Sequence, residues 1–257
     1  MAENTEDFCR AIAAYLQRKL NVPTEYVTGI PWQAREALFD GGEIQVLWLC
    51  GLPYVHKADL AESSMELLAV PVPAGKRYGS RPVYFSDVVV RRNSACRSFR
   101  DLRGATWAYN EPRSHSGFNV VRAHLFDLCE IDHFFAAAVE AGAHSRSLQM
   151  ILSGAVDGAA IDSTVLDWLG GQRNDLADEI RVIDTIGPSP IPPWVISRQV
   201  APSQRQALRQ LLVEMHFDPA GREVLSDGQW LRFTAADDHD YDPIRAMAHK
   251  AERVSLV

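Results

Sequence analysis

Apolar residues recur at helical spacing over residues 6–20, where Phe8, Ile12, Tyr15, Leu16 and Leu20 share one face and Asn21-Val22-Pro23 brings the helix to an end. Residues 24–28 read as a strand, and a second helix is expected from Pro31 to Gly41-Gly42. The run Ile44-Gln45-Val46-Leu47-Trp48-Leu49-Cys50 is apolar on both faces, the pattern of a central strand in a parallel sheet. Apolar strands are predicted at 67–72, 83–91, 105–109, 156–161 and 180–183, and helices at 116–128, 145–154, 163–170, 203–215 and 243–254. This alternation predicts an α/β fold with mainly parallel sheets.

Two segments suit extended crossovers between lobes. Gly187-Pro188-Ser189-Pro190-Ile191-Pro192-Pro193-Trp194 holds four prolines in six residues, which disfavours helix and removes backbone donors. Pro82-Val83-Tyr84-Phe85-Ser86-Asp87-Val88 is the other. The expected division places residues 1–86 and 194–257 in lobe 1 and 87–193 in lobe 2, with hinges near 83–88 and 187–194. The last two helices are expected to pack on lobe 1.

Composition narrows the partners. With 257 residues, 47% of them hydrophobic, the chain can bury one large core or two smaller ones. Acidic residues outnumber basic ones 33 to 26, for a net charge of −7, which argues against a nucleic-acid partner. Any anion must be captured by local geometry. No stretch approaches the roughly 18 uninterrupted apolar residues that cross a bilayer, so the chain is expected not to span a membrane. The opening Met1-Ala2-Glu3-Asn4-Thr5-Glu6-Asp7 lacks the pattern of an export signal, which implies a cytoplasmic protein if that start is genuine. Cys9, Cys50, Cys96 and Cys129 are irregularly spaced, and the histidines form no ligand motif, so neither a metal site nor a cofactor is expected.

The chemistry concentrates where the strand Ala105-Thr106-Trp107-Ala108-Tyr109 runs through a polar turn into a helix at Ser114-His115-Ser116-Gly117-Phe118-Asn119. A helix start offers unpaired N–H groups and the positive end of the helix dipole, and Ser114 and Ser116 add hydroxyls. Gly117 lets an anion approach the backbone. Equally, Ser114 is a good N-cap with no ligand at all. His144 opens a second helix and can reach an anion with a ring N–H, or serve only as a capping residue. Asp162 ends a buried strand where ligands bind in open α/β sheets. It either accepts a hydrogen bond from a protonated oxyanion or amine, or caps the next helix. Tyr54 and Tyr84 present a phenol as wall and donor, or pack with the hydroxyl satisfied.

In order and spacing, Leu49-Cys50-Gly51-Leu52-Pro53-Tyr54-Val55, Tyr84-Phe85-Ser86-Asp87-Val88-Val89-Val90, Asp101-Leu102-Arg103-Gly104, Ser114-His115-Ser116-Gly117, Gly142-Ala143-His144 and Val156-Asp157-Gly158-Ala159-Ala160-Ile161-Asp162 resemble the phosphate/phosphite/phosphonate-binding proteins of ABC transporters. The resemblance covers residues 45–200. It implies a two-lobed, type II periplasmic-binding-protein fold that closes on its ligand in a cleft between the lobes. By the same resemblance, Ser114, His115, Ser116 and Gly117 take the place of a Ser-Thr-Ser-Gly turn around the phosphorus oxygens, with His115 where threonine is usual. His144, Asp162, Tyr54 and Tyr84 fall on the family's cleft residues.

The expected function is that of an extracytoplasmic-type solute-binding protein, not an enzyme. It would capture a small tetrahedral oxyanion for an ABC permease, act as a monomer and reside in the periplasm. The alternative is a cytoplasmic enzyme or ligand-sensing domain on the same fold. Family members carry a strand before the first helix, which this chain is expected to lack.

Overall fold

Helix α1 (Glu6–Leu20) has Glu6 and Asp7 in its first turn and Arg18 and Lys19 in its last, charges matched to the two ends of the helix dipole. Its buried side, Phe8, Cys9, Ile12, Tyr15 and Leu16, carries the predicted stripe. The computed structural model describes residues 5–257. After α1 come α2 (Trp32–Asp40), β1 (Val46–Trp48), α3 (Gly51–Ala58) and β2 (Met65–Pro73). Next are β3 (Val83–Arg91), β4 (Thr106–Tyr109), α4 (Val120–Asp127), β5 (Ala137–Glu140), α5 (His144–Ser153), β6 (Gly158–Asp162), α6 (Ser163–Gln172), α7 (Leu176–Glu179) and β7 (Ile180–Pro190). The chain ends with β8 (Trp194–Ser197), α8 (Pro202–Val213), α9 (Pro219–Asp227), β9 (Trp230–Thr234) and α10 (Asp242–Ala251).

These elements form two compact units. Among the described residues, unit 1 holds 5–83 together with Pro190–Tyr241, and unit 2 holds Tyr84–Ser189 and Asp242–Val257. The chain therefore passes between them at 83/84, at 189/190 and a third time at 241/242.

Unit 1 is built on a sheet of order β1-β8-β2-β9. Its pairings are antiparallel throughout, which corrects the expectation of a parallel sheet here. The run at 44–50 yields only the three residues of β1, an edge strand paired with β8 alone among the described strands. Its apolar character has another cause: Trp48 joins an aromatic cluster. The Phe8 ring lies 5.9 Å from Trp48, 5.9 Å from Trp230 and 6.2 Å from Phe233, and Trp48 lies 5.4 Å from Trp194. Such ring pairs favour edge-on and tilted contacts and fasten α1 to the sheet. The described residues 24–28 form no strand, contrary to expectation. Polar groups there bond to side chains and turns instead, with Thr24 N donating to Gln17 Oε1 and Thr24 Oγ1 to the Val22 carbonyl.

Unit 2 carries the sheet β5-β4-β6-β3-β7. Here β4 is parallel to both β5 and β6, whereas β3 runs antiparallel to β6. One core lies around Trp107, Phe99, Phe134 and Phe135, and a second around Ile151, Ala159, Ile161 and Val165.

The C-terminal segment corrects a second expectation. Helix α10 and the tail after it pack in unit 2 rather than on the first lobe. The reason is apolar: Met247, Val254 and Leu256 complete the core around Trp107 and Val120. Phe135 N donates to the Leu256 carbonyl at 3.0 Å, and Arg122 Nε to the Val254 carbonyl at 2.8 Å. We expect Leu256→Ala to destabilise the protein by about 3 kcal/mol in urea unfolding. A loss below about 1 kcal/mol would mean that the tail is not part of the core.

Candidate functional site

Because β5, β4 and β6 are adjacent and parallel, the three loops that leave their C-terminal ends emerge on one side of unit 2. Those loops are 110–119, 141–143 and the junction at Asp162–Ser163. The antiparallel partner β3 brings its N-terminal half to the same end, with Ser86 opposite Asp162. Open α/β sheets bind ligands at such an edge.

The loop after β4 leads into a single wide turn at His115–Asn119, in which Asn119 N donates to the Ser114 carbonyl and Val120 N to that of His115. Wide turns of this kind are rare and gather at functional sites. Ser114 stands at its start, and its Oγ accepts the N–H of Gly117 at 3.1 Å. Ser114 is thus an N-cap, as one of the two sequence readings held. The N–H groups at 115 and 116 precede the first hydrogen bond of the wide turn.

His144 opens α5 and meets this turn. Its Nε2 lies 3.0 Å from Ser116 Oγ, and Ser116 Oγ lies 3.5 Å from Ser114 Oγ. Ser114, Ser116 and His144 are all buried. Burial pushes the His144 imidazole down to about 4, an effect that the Ala160 backbone partly offsets. Gly117 is needed for a reason the sequence did not suggest. A Cβ there would sit 2.0 Å from Asn110 Oδ1 and 3.2 Å from His144 Cε1, so the missing side chain makes room for two protein groups.

The remaining candidates divide. Asp162 Oδ1 accepts from Thr164 N at 2.8 Å and from Thr164 Oγ1 at 2.7 Å, so it caps α6. Burial raises its carboxyl to about 6, against those hydrogen bonds, which lower it. Tyr84 is fully buried, its ring edge-on to His115 at 6.5 Å. The His115 ring is fully buried as well, and its nitrogens face Ser189 Oγ at 3.0 Å and Asn119 Nδ2 at 3.1 Å. Tyr54 belongs to unit 1, where its hydroxyl donates to Asp238 Oδ1 at 2.8 Å and its ring packs on Tyr241 at 4.5 Å.

Three residues that sequence reasoning passed over also lie at this end. Asn110 Oδ1 and Ser86 Oγ are buried without a hydrogen-bond partner, a costly state for polar atoms. Asn119 holds His115. Asn110 directly succeeds a predicted strand, which was the one available signal.

Both histidines are neutral at neutral pH, and this fixes the sign of their effect on stability. Their folded pKa values lie below the unfolded value near 6.5, so their contribution is complete above that pH and is lost as pH falls toward 4 for His144 and toward 3 for His115. Asp162 acts oppositely, because its folded pKa exceeds its unfolded one and acidification favours the fold. We expect His144→Gln to remove about 2 kcal/mol of the stability difference between pH 7 and pH 5, measured by urea unfolding at each pH. An unchanged difference would show that His144 titrates normally.

The chain matches the family described as "ABC transporter, phosphonate, periplasmic substrate-binding protein" over residues 2–241. Among solved structures it is similar to a binding protein component of an ABC phosphonate transporter from Pseudomonas aeruginosa, at 19% identity and a TM-score of 0.85, covering 98% of this chain and 83% of that one. PhnD1 from Prochlorococcus marinus in complex with methylphosphonate is 16% identical, with a TM-score of 0.82 and 98% and 94% coverage. A Xanthomonas citri protein bound to ATP is 16% identical, with a TM-score of 0.73 and 98% and 93% coverage. The two-lobed α/β fold is that of periplasmic binding proteins.

Proposed function

Because the chain belongs to the family of periplasmic substrate-binding proteins of phosphonate ABC transporters, we propose that Ser114, Ser116 and His144 hold the oxygens of a small phosphorus oxyanion. The ligand is of the phosphonate, phosphite or phosphate kind, and the chain, as a monomer outside the cytoplasmic membrane, delivers it to a permease. Among the described residues no helix is long and apolar enough to cross a membrane.

The observation that carries this reading is the convergence of the Ser114–Gly117 turn on His144, with a 3.0 Å contact between Ser116 and the imidazole. Hydroxyls, a neutral imidazole and the N–H groups of a helix start can all turn toward one set of oxygens. None of these donors is cationic, so capture depends on their placement rather than on net charge. Asp162, largely ionised above its pKa of about 6, accepts a hydrogen bond from a protonated oxygen or an amine of the ligand. Sulfate at neutral pH offers neither, and it is disfavoured for that reason.

The Ser116–His144 pair also has the parts of a nucleophile and its base. Burial holds that imidazole near 4, too weak a base to activate a hydroxyl at neutral pH, and this favours binding over catalysis.

In a thermal-shift panel of methylphosphonate, aminoethylphosphonate, phosphite, phosphate and sulfate, at least one phosphorus oxyanion should raise the melting temperature and sulfate should not. Replacing Ser114 and Ser116 together by Ala should weaken the preferred ligand by more than about a hundredfold, since each hydrogen bond to a charged group contributes about 1.5–3 kcal/mol. Loss of the Ser114 cap should cost the fold only about 1 kcal/mol. Unchanged affinity in calorimetry would refute the assigned seat.

A further inference from the structure

His115 stands in the middle of the oxyanion turn, yet its ring faces the protein. Asn119 Nδ2, an amide nitrogen, can only donate, so His115 Nδ1 at 3.1 Å is the acceptor. The ring proton then resides on Nε2 and is donated to Ser189 Oγ at 3.0 Å. The ring edge packs against Tyr84.

The partners are notable for where they lie in the chain. Tyr84 is the first residue of unit 2 after the crossover at 83/84, and Ser189 the last before the crossover at 189/190. The two crossover backbones run close together within unit 2: a Cβ on Gly187 would lie 3.3 Å from the Tyr84 carbonyl and 3.2 Å from Ser189 N. One imidazole therefore touches two of the three places where the chain crosses the boundary of unit 2. Through its backbone the same residue links Ser114 to Ser116, and its carbonyl receives Val120 N.

We propose that His115 is a positioning residue that keys the oxyanion turn to the crossover strands, so that the placement of Ser114 and Ser116 depends on the course of residues 187–190. This rests on the reading that the turn holds the ligand oxygens. The ring itself does not bind the ligand; it transmits between the seat and the crossover. A threonine at this position has no nitrogen pair with which to reach both Asn119 and Ser189, so the linkage is a property of the histidine.

The test is a double-mutant cycle on methylphosphonate affinity, read by calorimetry, with His115→Thr and Ser189→Ala. Each single change should weaken binding about tenfold, and the double variant should bind no more weakly than His115→Thr alone, because the two act through one bond. Ring nitrogen NMR supplies a second readout. The His115 signals should show a proton on Nε2 and none on Nδ1, shift when methylphosphonate is added, and lose that shift in Ser189→Ala. If His115→Thr does not fold, Ser189→Ala and the ring spectrum decide alone. Parent-like affinity in Ser189→Ala, additive effects in the cycle, or a proton on Nδ1 would each overturn the positioning role while leaving the binding seat intact. If the parent protein binds no phosphorus oxyanion, the seat itself is refuted, and the role of His115 with it.

Discussion

The site depends on a register: β4 lies parallel to both β5 and β6, with Tyr109 level with Glu140 and Ala108 level with Ala159. Parallel neighbours end at the same side of a sheet, so the loops leaving them are delivered to one place. From β4 comes the Ser114–Gly117 turn, from β5 comes His144, and from β6 comes Asp162. The antiparallel β3 adds Tyr84 and Ser86 at that end. A slip of one residue in β4 would turn its side chains to the opposite face and separate the turn from His144. The core holds the register, since Trp107 and Ala108 of β4 are both fully buried, each in a different one of the two clusters.

On this frame the chemistry is set mainly by burial. Removing water lowers both imidazoles and raises the Asp162 carboxyl to about 6, so the histidines at this end of the sheet are neutral at neutral pH. On the proposed reading, an anion held by neutral, preplaced groups does not need those groups to carry charge, and selectivity would come from which ligand oxygen or amine can give a proton to Asp162.

Much of unit 2 was legible in the sequence. The apolar strand 105–109 running into Ser114-His115-Ser116-Gly117 has a pattern that a strand, turn and helix share with little else, and His144 and Asp162 stand at similar junctions. The ring of His115 was not legible, because its partners Ser189 and Tyr84 are distant in the chain and a sequence pattern cannot show which way a side chain turns. Gly117 meets a demand that the sequence did not show, since a Cβ there would run into Asn110. In unit 1 the apolar run at 44–50 mimicked a central strand because the aromatic cluster, not a sheet position, demands Trp48. Helix α10 was amphipathic by pattern, but an apolar face does not announce which core it completes.

The central claim is that neutral groups, not cationic ones, hold the oxyanion. Its most direct test is the affinity for methylphosphonate measured by calorimetry at low and at high concentrations of sodium chloride. Screening by salt weakens attraction between exposed charges and hardly touches hydrogen bonds in a buried seat. Affinity nearly constant across that range is the predicted result. A steep fall with salt would contradict it and assign the binding to a cation such as Arg113, the residue that precedes the turn.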